Sequence, residues 1–203
     1  MDTQRKTIVV ASHNRGKLKE MEAMLSPLGF QVEAADSLGI DVEKAIESGT
    51  TFKENSLIKA QYVYDHLKEK MPVIADDSGI CFAGLNGFPG IHSARWAPDG
   101  QTSYDYKNRK ILTLLQGKDH TCTFHCVITL IDATGIHQFE GLAQGEAVEP
   151  VSTGRGFGYD PIFRSDDLGI TFGEATIQQK DQVSHRGRAC AKLIAYLKKN
   201  QMD

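Results

Sequence analysis

An α/β fold follows from three observations in this 203-residue sequence. The β-branched run Thr7 to Ala11 passes through a polar, glycine-bearing turn into a segment whose Leu18, Met21, Leu25 and Leu28 repeat at helical spacing. A second apolar run, Val73 to Ala75, meets two carboxylates, as strand ends do at ligand sites in open α/β sheets. Two long alternating stretches, Thr121 to Ile131 and Ile136 to Ala147, flank the hairpin turn Asp132-Ala133-Thr134-Gly135. Forty per cent of the residues are hydrophobic, which suits one domain or two closely packed lobes.

Along the chain, Pro27 and Gly29 close the first helix. Gln31 to Ala35 reads as a strand and Asp36 to Gly49 as an acidic, irregular connection. Thr51-Phe52-Lys53-Glu54 is a capping box opening a helix to about Lys70, with Leu57, Ala60, Tyr64 and Leu67 inward. Asn55 and Lys59, four apart, share another face. Gly84 to Gly90 is dense in turn formers and leads to Ser93-Ala94-Arg95-Trp96. Thr102 to Asp105 has capping-box form and opens a helix with Ile111, Leu112 and Leu115 inward and Lys107, Arg109 and Lys110 solvated. Pro150 to Gly158 is a glycine-rich loop in which Phe157 and Tyr159 read as exposed aromatics suited to stacking on a planar base. Thr176 to Gln179 caps a short helix carrying Lys180. Ser184 caps the last helix, whose Cys190, Leu193, Ile194 and Leu197 face inward.

Net charge is −3, from 23 basic and 26 acidic residues. That balance argues against non-specific nucleic-acid binding, which needs a basic surface. No run of 18 apolar residues predicts a membrane span. The polar start, Met1 to Lys6, shows no secretory signal. Four cysteines in apolar segments read as reduced core thiols, so a cytoplasmic protein is expected. His120, Cys122, His125 and Cys126 suggest zinc at first sight, but His125 points to the opposite strand face from the two cysteines.

The chemistry-bearing residues form a coherent set. In Asp76-Asp77-Ser78-Gly79 neighbouring side chains must alternate, so one carboxylate faces the site; Asp77, nearer an expected bend at Gly79, is the candidate. Ser12-His13-Asn14-Arg15-Gly16-Lys17 lies where helix N–H groups attract anions, although it lacks the early glycine and trailing Ser/Thr of a Walker A loop. Lys180, His185 and Arg186 gather cations near a helix start, against the dipole. Acids beside bases suggest a divalent metal bridging carboxylates and a polyphosphate, and the aromatic loop suggests a nucleobase.

Six ordered motifs carry a family resemblance over nearly the whole chain. They are Ser12-x-Asn14-x-x-Lys17, Thr51-Phe52-x-Glu54-Asn55-x-x-x-Lys59-Ala60 and Ala75-Asp76-Asp77-Ser78-Gly79, followed by Pro89-Gly90-Ile91-x-Ser93-Ala94-Arg95, Gly156 to Phe163, and Lys180 with Ser184-His185-Arg186-Gly187. Together they resemble the inosine triphosphate pyrophosphatases, the non-canonical purine NTP pyrophosphatases also called dITP/XTP pyrophosphatases. The resemblance implies an elongated, two-lobed mixed sheet flanked by helices around a central cleft, formed by residues 1–203 as one such domain, and a homodimer. It implies Mg2+-dependent conversion of ITP, dITP or XTP to monophosphate and pyrophosphate. By the same resemblance Ser12 to Lys17, Asn55, Lys59 and Ser78 meet substrate, and Asp77 is proton acceptor and metal ligand with Glu47 as second metal ligand. Phe157, Gly158, Tyr159, Asp160, Lys180, His185 and Arg186 meet the nucleoside. Trp96, where a tyrosine is common, and Arg155 depart from the pattern. A pyrimidine-selecting relative and a non-catalytic nucleotide sensor are the competing readings.

Overall fold

The fold is described from a computed structural model covering residues 6–151 and 155–200. The polar lead before Lys6 and the centre of the Pro150–Gly158 loop lie outside the described residues. Six strands form one mixed sheet in the order β2-β1-β3-β4-β5-β6. Their ranges are β1 Lys6–Val10, β2 Phe30–Ala34, β3 Val73–Phe82, β4 Thr121–Asp132, β5 Gly135–Ala147 and β6 Phe163–Ser165. β1 runs parallel to β2 and to β3, while β5 and β6 are antiparallel. The helices are α1 Arg15–Leu25, α2 Phe52–His66, α3 Tyr104–Leu114, α4 Ile177–Val183 and α5 His185–Asn200.

The chain divides into two compact units, each with its own core. Among the described residues, unit 1 holds 6–77, 127–140 and 189–200; unit 2 holds 78–126, 141–151 and 155–188. In unit 1, Val9, Ala11, Val73 and Ala75 pack with Ala60 and Val63 of α2. Those strand residues share odd parity, so α2 covers one sheet face, as strand alternation requires. In unit 2, Ile80, Phe82, Phe124, Phe163 and Phe172 meet Ile111 of α3 and Leu115, its C-cap. Phe124 stacks on Phe172 with centroids 6.1 Å apart and tilts against Phe163 at 4.7 Å. Offset and tilted ring pairs add to the area they bury.

Three local expectations change. The strand beginning at Val73 does not end at the carboxylates but continues through Asp76, Asp77, Ser78 and Gly79 to Phe82. Acidic residues followed by serine and glycine favour turns locally, and tertiary partners override that preference. The helix opened by Thr51 stops at His66, not Lys70. Lys70 folds back to donate from Nζ to the Tyr64 carbonyl at 2.6 Å, satisfying a helix end, and Pro72 favours extended backbone just before it. α3 starts at Tyr104 without the capping box, since Ser103 makes no side-chain cap. The boxes at Thr51 and Thr176 both form.

Thr51 Oγ1 accepts from the Glu54 N–H at 3.1 Å, and Glu54 Oε2 accepts from the Thr51 N–H at 3.2 Å. Thr51→Ala is therefore expected to cost about 1 kcal/mol. Urea unfolding should show a lower midpoint with an unchanged slope.

Candidate active site

Unit 1 gathers the phosphate-type and acidic residues. Asn14 is the N-cap of α1, and its Oδ1 accepts from the Gly16 and Lys17 N–H groups at 2.9 and 3.2 Å. Ser12 Oγ accepts from the Asn14 N–H at 3.1 Å. The amides expected to cradle an anion are thus already engaged by Asn14. His13 and Arg15 are exposed, with His13 Nε2 3.7 Å from Glu43.

Both carboxylates of β3 are buried, and each has its own lysine. Asp76 faces α1, where Lys17 Nζ lies 2.9 Å from its Oδ2. Asp77, of opposite parity, faces α2, where Lys59 Nζ donates to its Oδ1 at 3.0 Å. Side-chain alternation thus gives the two acids different partners on the two faces of one strand. Glu47 Oε2 lies 3.8 Å from the same Lys59 ammonium, so this lysine links two acids.

The loop carrying Glu47 is tied to α2 by Asn55. Only 1% of Asn55 is exposed. Its Oδ1 accepts from the Gly49 N–H at 2.9 Å. A Cβ at position 49 would stand 2.6 Å from that oxygen and from Glu54 Cβ, so the tie requires glycine.

Electrostatics separate Asp77 from an ordinary surface aspartate. Burial pushes its pKa up, Lys59 pulls it down, and the net result lies above the usual value of 3.8. Burial opposes the charge on Lys59, yet Asp77, Asp76 and Glu47 together hold its pKa above the usual 10.5. Asp77 Oδ2 is buried with no hydrogen-bond partner. A carboxylate with one oxygen on lysine and the other unpaired is a ready acceptor for a proton or a cation.

Unit 2 gathers the aromatic and remaining cationic residues. Phe157 is 53% exposed. Lys180 Nζ sits 4.7 Å from its ring centroid and donates to Asp160 Oδ2 at 2.7 Å. That same oxygen accepts from the Phe157 N–H at 2.8 Å, closing the loop on itself. Gly158 adopts φ +66°, and Ser78 is half-buried.

Tyr159 is not the exposed aromatic expected from its place in the glycine-rich loop; only 4% is accessible. Its hydroxyl donates to the Ser93 carbonyl at 2.6 Å and accepts from Trp96 Nε1 at 2.7 Å. Trp96, the departure at a position where tyrosine is common, is thereby built into the loop's support. His185 is buried in parallel stacking on Phe124, with centroids 4.5 Å apart, and Arg186 is 7% exposed. Ser184 Oγ accepts from the Gly187 N–H at 3.0 Å, capping the start of α5.

α3 also turns a polar face inward, which the sequence reading does not predict. Lys107, expected in solvent, is 3% exposed and donates to the Ala94 carbonyl at 2.7 Å. Asn108 Nδ2 donates to the Gly158 carbonyl at 3.0 Å. The signal was available: Tyr104, Lys107, Asn108, Ile111 and Leu115 fall on one helical face.

Comparison with known proteins places the chain in a family. The model of the Ham1 family matches residues 8–196. A dITP/XTP pyrophosphatase of Nitrosomonas europaea is 42% identical over 199 residues, covering 96% of this chain and 95% of that protein. One from Caldanaerobacter subterraneus is 37% identical, covering 95% and 96%. The solved structure of the Staphylococcus aureus Ham1 protein superposes with a TM-score of 0.86 at 35% identity, covering 96% of this chain and all of that one.

The electrostatics make a test of Asp77. Its folded pKa lies above its unfolded value, so its contribution to stability is complete below an unfolded pKa of 3.8 and is lost as pH rises through the folded value. Unfolding curves of the metal-free protein should show that decline, and Asp77→Asn should remove it. Lys59→Met should raise the Asp77 pKa further, as read by carboxyl-carbon NMR titration. With the family model spanning residues 8–196, the chain belongs to the Ham1 family.

Proposed function

We propose that this chain hydrolyses non-canonical purine nucleoside triphosphates, dITP, XTP and ITP, to the monophosphate and pyrophosphate. The observation that carries the reading is the Asp77 carboxylate, with Oδ1 on Lys59 and Oδ2 buried and unpartnered. The names of the relatives supply the substrate class.

Mg2+ is the cofactor of this reading. No three His, Cys, Asp or Glu side chains among the described residues converge as a metal-binding group. Mg2+ in nucleotide sites needs only one or two carboxylates, because waters and substrate phosphates complete its shell. The unpaired Asp77 Oδ2, with Glu47 across the shared lysine, fits that donor set. When bound, the ion would neutralise phosphate charge and lower the pKa of a water.

The protein's own groups do the rest. Water oxygen bonds to the α-phosphorus, the α–β bridging P–O bond breaks, and pyrophosphate leaves with the bond's electron pair. Asp77 accepts the water proton, with its basicity lowered by any cation on the same carboxylate. Lys59 and Lys17 place positive charge against the polyphosphate, where charge stabilisation dominates such transfers. In unit 2, Phe157 offers a stacking face with Lys180 held over its ring. Cationic donors such as Lys180 or Arg186 suit the C6 carbonyl of hypoxanthine and xanthine and oppose the amino donor of adenine.

Among the described residues no helix is long and apolar enough to cross a membrane. Four free cysteines support a reducing, cytoplasmic setting within this reading. A homodimer is also part of it, resting on family likeness, and sedimentation velocity tests it.

Pyrophosphate release should be measured across ITP, XTP, GTP, ATP and dUTP, with and without Mg2+. Turnover is expected for ITP and XTP and should vanish on chelation. A preference for dUTP would overturn the base assignment, and Mg2+-dependent ITP binding without turnover would indicate a sensor. Asp77→Asn should nearly abolish turnover while substrate binding persists. Lys180→Ala should lower ITP turnover relative to ATP; equal losses on both would contradict its role at the base.

A further inference from the structure

We infer that Asn108 of α3 is a positioning residue for purine selectivity, holding the apex of the Phe157–Asp160 loop through the Gly158 carbonyl. The inference deepens the proposed function and rests on Phe157 and Lys180 being the base-binding groups.

Besides the Tyr159 hydroxyl, which ties the loop to Ser93 and Trp96, the loop has two attachments of different kinds. At its base Asp160 Oδ2 receives the Phe157 N–H and the Lys180 ammonium. The Asp160 N–H closes back on the Phe157 carbonyl at 3.2 Å. Those contacts fix the loop's internal shape but leave the peptide after Gly158 unanchored. Gly158 is in the left-handed region at φ +66°, which glycine leaves at little cost, so that peptide needs an outside hold. Asn108 provides it with an amide donor 3.0 Å from the Gly158 carbonyl.

Beside it, the Tyr104 ring stands 3.5 Å from where a Gly158 Cβ would lie and meets Tyr159 edge-on at 5.3 Å. Lys107 lies 4.5 Å over the Tyr104 ring. One face of α3 thus orients the peptide that follows the exposed Phe157 ring.

The state of the Asn108 amide separates positioning from stability. The residue is 4% exposed, and its Oδ1 is buried without a hydrogen-bond partner. The amide cannot be turned over to mend this, because its oxygen would then face the Gly158 carbonyl oxygen. A buried unpaired amide oxygen costs stability, and an apolar side chain of similar shape avoids that cost. Asparagine is therefore a poor choice for packing alone and a good one for holding a carbonyl. Groups that cost stability yet fix geometry are common in functional shells.

The experiment compares Asn108→Leu, which keeps the shape without the donor, and Asn108→Asp, which keeps the acceptor. Steady-state kinetics on ITP, XTP and ATP are combined with thermal unfolding and inhibition by inorganic tripolyphosphate, which lacks a base. Asn108→Leu is expected to keep or raise Tm and to leave tripolyphosphate inhibition unchanged. KM for ITP should rise about tenfold, the equivalent of one lost hydrogen bond, with kcat nearly retained and the ITP-over-ATP preference reduced. Asn108→Asp should show the same shift in preference.

An unchanged KM and preference in both variants would overturn the inference. So would a fall in Tm with equal losses on ITP and ATP, the pattern of a purely structural residue. Failure of the wild-type protein to release pyrophosphate from ITP or XTP would instead remove the proposed function, whatever the variants do.

Discussion

The unit 1 chemistry depends on pairing two buried acids with two lysines across a single strand. Asp76 and Asp77 are adjacent in β3 and both below 10% exposed, a costly arrangement for unpaired charges. Strand geometry sends them to opposite faces, and α1 and α2 each deliver one ammonium to within about 3 Å. Removing Lys59 would leave the buried Asp77 carboxylate without its ammonium, which is far more damaging than loss of an exposed ion pair. The pairing allows β3 to continue through a sequence that locally favours a turn. It also fixes which oxygen remains available: Lys59 takes Asp77 Oδ1 and leaves Oδ2.

In unit 2 order comes from aromatic packing and from side chains that hold backbone carbonyls. Tyr159 joins Trp96 to the Ser93 carbonyl, while α3 holds the carbonyls of Ala94 and Gly158. Exposed Phe157 therefore sits on a rigid frame although it lies in a glycine-rich loop. A platform held this way presents a stacking surface at a lower ordering cost than a free loop would.

Much of the fold was legible because it depends on local pattern. The Thr51 and Thr176 capping boxes, the long hairpin strands and the inward stripe of α5 follow from residues near one another in sequence. What was not legible depends on distant partners. Nothing local shows that Asp76 and Asp77 will each meet a lysine, so Asp-Asp-Ser-Gly reads as a strand end. Tyr159, in a glycine-rich loop, looks exposed until its bonds to Ser93 and Trp96 appear. Lys107 reads as solvated until the helical wheel is drawn with its polar residues included. Among the candidate residues, those on α1, α2 and β3 were identified by type and placed by structure. Asn108 was readable from its spacing, but its value lies in a carbonyl fifty residues away.

The Asn14 cap has a consequence for how the start of α1 can exchange partners. Its side-chain oxygen occupies the Gly16 and Lys17 amides. Any anion that takes those amides displaces a neutral acceptor already within the molecule. The exchange is competitive, and its gain grows with the charge the newcomer brings to the helix end. A highly charged chain gains most, a less charged fragment less, and the amide oxygen stands ready to reclaim its donors as the fragment departs. The helix start is thus self-closing: whenever an anion leaves these amides, the Asn14 side chain can take them back.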